Sequence, residues 1–101
     1  MSTLPDLLRL RFDMVSQLSL ATSRLQKFQQ ARMSAEMDVQ RCEMAQELPN
    51  DCQPERDAAL ARAQAADEAI VDCETQIAQM EAELDETDRA IATLAERGAS
   101  S

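Results

Sequence analysis

The sequence predicts an all-α fold, an antiparallel two-helix coiled-coil hairpin that self-associates into a helical bundle. Three observations predict it. Strong helix formers fill most of the chain, with a single glycine and only two aromatic residues, Phe12 and Phe28, so the β-branched, aromatic and turn-rich pattern of a sheet is missing. Apolar residues recur at heptad spacing along two long segments. The two heptad rows mirror one another about one interior turn.

The elements follow in order within a single domain spanning 1–101. Thr3-Leu-Pro-Asp6 has the Ser/Thr-x-x-Asp/Glu pattern of a helix start, with Pro5 tolerated in the first turn. The first helix is expected over about 4–48, because no proline or glycine interrupts it before Leu48-Pro49. Pro49-Asn-Asp-Cys-Gln-Pro54 is the one interior turn signal, placing the turn at 49–53. The second helix is expected over about 54–97, with Glu55 and Asp57 near its positive end and Arg97 near its negative end. Gly98 is expected to end it, leaving a short frayed tail at 98–101.

The second helix carries the clearer heptads. Positions 59, 63, 66, 70, 73, 77, 80, 84, 87, 91 and 94 step by four and three, and all but Thr87 are apolar. The core of this seam is Ala63, Ile70, Ile77, Met80 and Leu84. The first helix answers with Leu4, Leu7, Arg11, Met14, Leu18, Ala21, Leu25, Phe28, Arg32, Ala35, Val39 and Cys42. Folding about Asp51 makes facing positions sum to 101 or 102, so Cys42 faces Ala59, Val39 faces Ala63, Phe28 faces Cys73, Leu25 faces Ile77 and Leu18 faces Leu84. One continuous helix has no use for that agreement. Alanines line the seam near the turn and larger side chains line it farther away, which predicts close helix approach at the turn. Arg11 and Arg32 break the apolar rows, and a polar seam residue is expected to set register.

Two surfaces remain unused by the seam. Leu8, Phe12 and Val15, then Met33, Met37, Met44 and Leu48, form apolar stripes on the first helix, and a two-helix core is one layer deep. They are the expected face for a partner or a second copy, since methionine repacks readily against different surfaces. From Ala63 to Asp88 there is no Lys or Arg, yet there are nine acids: Asp67, Glu68, Asp72, Glu74, Glu81, Glu83, Asp85, Glu86 and Asp88. They are expected to form an acidic face, either solubilising or matched to a basic protein. Glu47, Asp51 and Glu55 add acid around the turn.

The same composition excludes several functions. A net charge of −9 disfavours direct binding to nucleic acid or to anionic membranes, and no apolar run predicts membrane insertion. The start shows no basic segment followed by a hydrophobic one, so no secretory signal is expected. Without histidine there is no Ser-His-Asp or Cys-His pair, and one glycine at 98 makes no phosphate loop. No catalytic, cofactor-binding or metal-binding residue is expected.

Cys42 and Cys73 are read as small seam residues, about 21 Å apart along the helix axis and beyond disulfide reach. Cys52 is read as lying in the turn, away from both, as the exposed and reactive thiol. Free thiols fit a cytoplasmic setting or the interior of an assembled particle.

The expected function is a non-enzymatic protein–protein interaction module: an assembly, adaptor or structural component of a virion, a secretion machine or their chaperones. Arginine supplies nine of the ten basic residues, beside Lys27 alone, a usage that fits a GC-rich bacterial or phage genome. The alternative is an acidic inhibitor or regulator that occupies a basic groove of another protein, with mimicry of nucleic-acid charge as one form of it.

Overall fold

The computed structural model describes residues 3–44 and 52–100, with side chains as far as Gly98. Two helices, α1 (Leu4–Met44) and α2 (Gln53–Ser100), make an all-α helical hairpin, and no strand occurs among the described residues. Glu47, Leu48, the residues Pro49 to Asp51 of the expected turn, and Ser101 lie outside the described residues.

α1 starts as its sequence dictates. The Thr3 hydroxyl accepts from the Asp6 backbone N–H at 3.3 Å, and the Asp6 carboxylate accepts from the Thr3 backbone N–H at 3.3 Å. Two otherwise orphaned donors are thereby satisfied reciprocally.

α2 starts with the same logic in a different atom. The Cys52 carbonyl accepts from the Arg56 N–H at 2.7 Å, which makes Cys52 the residue that caps the helix. Its thiol lies 3.9 Å from Glu55 Oε2, three residues on, where a capping hydroxyl would ordinarily stand. Pro54 follows in the first turn, where its missing N–H costs nothing.

The end of α2 departs from expectation. Gly98 does not stop the helix, which continues to Ser100. A glycine in a helix costs only about 1 kcal/mol relative to alanine, and no proline follows to forbid another turn.

The chain divides into two compact units, each pairing a stretch of α1 with a stretch of α2. In the unit Met1–Thr22 with Thr75–Ser101, Ala21 and Thr87 are buried, while Leu7, Met14, Leu18, Met80, Leu84, Ile91 and Leu94 are half-buried. The Thr87 hydroxyl donates to the Glu83 carbonyl one turn back at 3.0 Å, and its oxygen lies 3.4 Å from Met14 Sδ. That back-bond lets a hydroxyl occupy an apolar row without an unpaired polar atom.

In the unit Ser23–Glu74 more of the seam is buried. Ala35, Cys42, Ala59, Ala66, Ile70 and Cys73 are buried, with Ala35 and Ala59 at 0 % exposure. Leu25, Phe28, Val39 and Ala63 are half-buried beside them. The row continues two further steps, through Arg56 and Cys52, both half-buried. Their polar chemistry hides them from a search for apolar residues.

Cross-helix contacts in each unit run in the antiparallel sense. Arg11 pairs with Asp88 and Met14 meets Thr87 in the first. Arg32 pairs with Asp67, Asp38 with Arg62 and Glu43 with Arg56 in the second.

Arg11 and Arg32 are exposed, so they do not occupy the seam as buried polar residues. Each guanidinium leaves the apolar row and pairs with an acid on the other helix, as expected for a long side chain that keeps its charged head in water.

Candidate interaction surfaces and a thiol cluster

The predicted partner face of α1 is open to solvent where it is described. Leu8, Phe12 and Val15 each directly follow a seam position and share one side of the helix; Phe12 is 72 % exposed. Met33 and Met37 line a shallow groove with Gln30, Ser34, Asp38 and Arg41, and Met44 is 84 % exposed. Leu10, Leu20, Leu60 and Val71 are exposed as well, and the sequence reading did not single them out. They fall outside both stripes, and an isolated exposed apolar residue has no periodicity to mark it.

No large side chain among the described residues is fully buried. The reason is geometric. Two helices enclose one row of contacts, and anything wider than alanine keeps part of its surface in water.

The nine acids do not act as one uncompensated face. Asp67 and Asp88 are paired, with Arg32 at 3.0 Å and Arg11 at 2.7 Å. Removing those two leaves seven, Glu68, Asp72, Glu74, Glu81, Glu83, Asp85 and Glu86, none with a basic partner among the described residues. The compensation comes from the other helix, so counting bases along α2 alone cannot reveal it.

The structure also holds grooves. One of about 330 Å³ is lined by Leu10, Asp13, Met14, Gln17, Met80 and Glu83. Both carboxylates in it are exposed.

A second groove, about 380 Å³, lies between the last turn of α1 and the first turn of α2. Asp38, Arg41, Cys42, Cys52, Glu55 and Arg62 line it. Cys52 was expected to lie away from both other thiols, but it stands beside Cys42. The sulfurs of Cys42 and Cys52 and a carboxylate oxygen of Glu55 all lie within 4.8 Å of one another. Cys42 is buried and Cys52 half-buried. The reversal of the chain brings the capping residue of α2 against the last seam residue of α1, a proximity invisible in linear spacing.

Nor is Cys52 an activated thiol. A hydrogen bond with Cys42, then desolvation, then the charges of Cys42 and Glu55 push its pKa from 9.0 to about 11. A helix N-terminus ordinarily favours a thiolate, but these neighbours favour the neutral form more strongly. Asp38 accepts a hydrogen bond from Arg62 at 2.9 Å and forms an ion pair with Arg41 at 3.3 Å, the two remaining bases of the groove.

A scan of protein-family models and searches of the curated proteins and the solved structures return no match. Among the described residues, no helix is long and apolar enough to cross a membrane.

Proposed function

We propose that this chain is a non-enzymatic protein–protein interaction module whose first helix docks on another helical surface, most simply a second copy of itself. The observation that carries this reading is the exposure of Leu8, Phe12 and Val15 on one side of α1, beside a seam that leaves every large side chain partly wet. Covering such a row removes apolar surface from water at about 25 cal/mol per Å². A second two-helix hairpin supplies a matching row and converts a one-layer core into a four-helix bundle. The role that fits is assembly or adaptor work in the cytoplasm or within a bacterial or phage particle. Free thiols and the preference for arginine support that setting.

Sedimentation equilibrium at micromolar concentration tests it. A dimer or larger species is expected, and Phe12→Asp and Met37→Asp should weaken it while helicity by circular dichroism stays. A strict monomer would remove self-association and leave docking on a different protein.

A second reading, an acidic regulator seated in a basic groove, draws support from the seven acids without a basic partner. Exposed charges are screened over about 8–10 Å near physiological ionic strength. Binding to a basic partner should therefore weaken as salt rises, and again when Glu81, Asp85 and Glu86 are replaced by Gln or Asn. Indifference to both would sink this reading.

A further inference from the structure

We infer that Cys42, Cys52 and Glu55 form a zinc site that clips the end of α1 to the start of α2. The three donor atoms already lie within 4.8 Å of one another, and Cys52 Sγ is 3.9 Å from Glu55 Oε2. On one tetrahedral zinc, with Zn–S near 2.3 Å and Zn–O near 2.1 Å, two sulfurs lie about 3.8 Å apart and a sulfur and an oxygen about 3.6 Å. Only small side-chain shifts separate the observed cluster from that geometry.

The donor set selects the metal. Thiolates disfavour magnesium and calcium, which take oxygen ligands, and a carboxylate beside two thiolates suits zinc better than a monovalent copper ion. A groove of about 380 Å³ beside the cluster leaves room for water as the fourth ligand.

Charge at the site also closes. Zinc bound by two thiolates and one carboxylate carries one net negative charge. The Arg41–Asp38–Arg62 group in the same groove carries one net positive charge, and its bases are already turned toward Asp38. The two arginines therefore balance the loaded site and do not repel the ion from its own ligands.

The placement gives the ion a structural consequence. Its ligands come from the last turn of α1 and from the start of α2, so zinc ties together two helix ends across residues 45–51. A metal bound by the folded chain and not by the unfolded one stabilises the fold by mass action. This inference stands apart from the docking surface on α1 and can fail without it.

The test uses the full chain, reduced with a non-chelating phosphine and titrated with Co²⁺ as a spectroscopic stand-in, then with Zn²⁺. A thiolate-to-cobalt charge-transfer band is expected to saturate at one metal per chain and to disappear as zinc displaces cobalt. Cys42→Ser and Cys52→Ser should abolish the band. Glu55→Gln should weaken binding, and Cys73→Ser should leave it unchanged. Serine is close in size to cysteine and caps a helix well, so helicity should persist in these variants and can be checked by circular dichroism. No band in the unaltered chain, a band that survives loss of Cys42 or Cys52, or equal loss on replacing Cys73 would each overturn the site.

Discussion

Arg11 donates its Nε–H to Asp88 Oδ1 at 2.7 Å across the helix pair, with the two side chains 46 % and 45 % exposed. The short distance marks a well-aligned charge-assisted bond. The exposure limits its worth, since surface ion pairs contribute roughly 0–1 kcal/mol. Arg11 nevertheless stands in a row of leucines and methionines, where an apolar side chain would be partly shielded from water. Arg11→Leu should therefore raise stability, by about 1 kcal/mol from partial burial of the new side chain. Asp88→Asn alone should cost less than about 1 kcal/mol. Chemical denaturation of both variants checks the comparison; a large loss in Arg11→Leu would mean that the ion pair governs helix register.

Ala59 allows close approach of the helices, being completely buried where α2 meets α1. Ala59→Leu should destabilise the hairpin by about 1–3 kcal/mol, the usual cost of forcing extra volume into a filled site. Ala61→Leu, two residues on and exposed, should be nearly neutral. Equal effects at the two positions would contradict the seam assignment.

The capping box at Thr3 offers a local test. Thr3→Ala removes the hydroxyl that accepts from Asp6 N–H and should cost about 1 kcal/mol. Amide exchange should quicken in the first turn of α1, with little change in the Ser23–Glu74 unit.

Thiol chemistry tests the cluster in its metal-free, reduced state. The Cys52 pKa is raised, so its native neutral form is favoured. The stabilisation linked to that proton is present below pH 9.0 and is lost as pH rises through about 11. Alkylation of Cys52 should accordingly be slow near pH 8 and accelerate with a midpoint near 11. Because the Cys42 hydrogen bond is the largest cause, Cys42→Ala should move the midpoint back toward 9.0. An unmoved midpoint would place the cause elsewhere.

The Arg and Cys positions mark where reading the sequence worked and where it did not. Leu18, Val39, Ile77 and Leu84 were legible because heptad spacing ties an apolar side chain to one side of a helix. Arg56 and Cys52 extend the same row without showing in its apolar pattern, because they contribute stems and a thiol. Gly98 has the character of a helix stop because glycine favours helix ends, yet its preference is small enough for the helix to pass through it to Ser100.

Local sequence alone determined that there are two helices, where α1 begins, and which apolar residues face inward. Backbone capping and the 3.6-residue period act within a few positions of each residue. Tertiary structure decided what those residues meet. Only the antiparallel fold brings Arg11 to Asp88 and Arg32 to Asp67, taking two acids out of the charged surface of α2. The same reversal brings Cys42, Cys52 and Glu55 together, because side chains separated along the sequence interact only once the chain has turned back on itself.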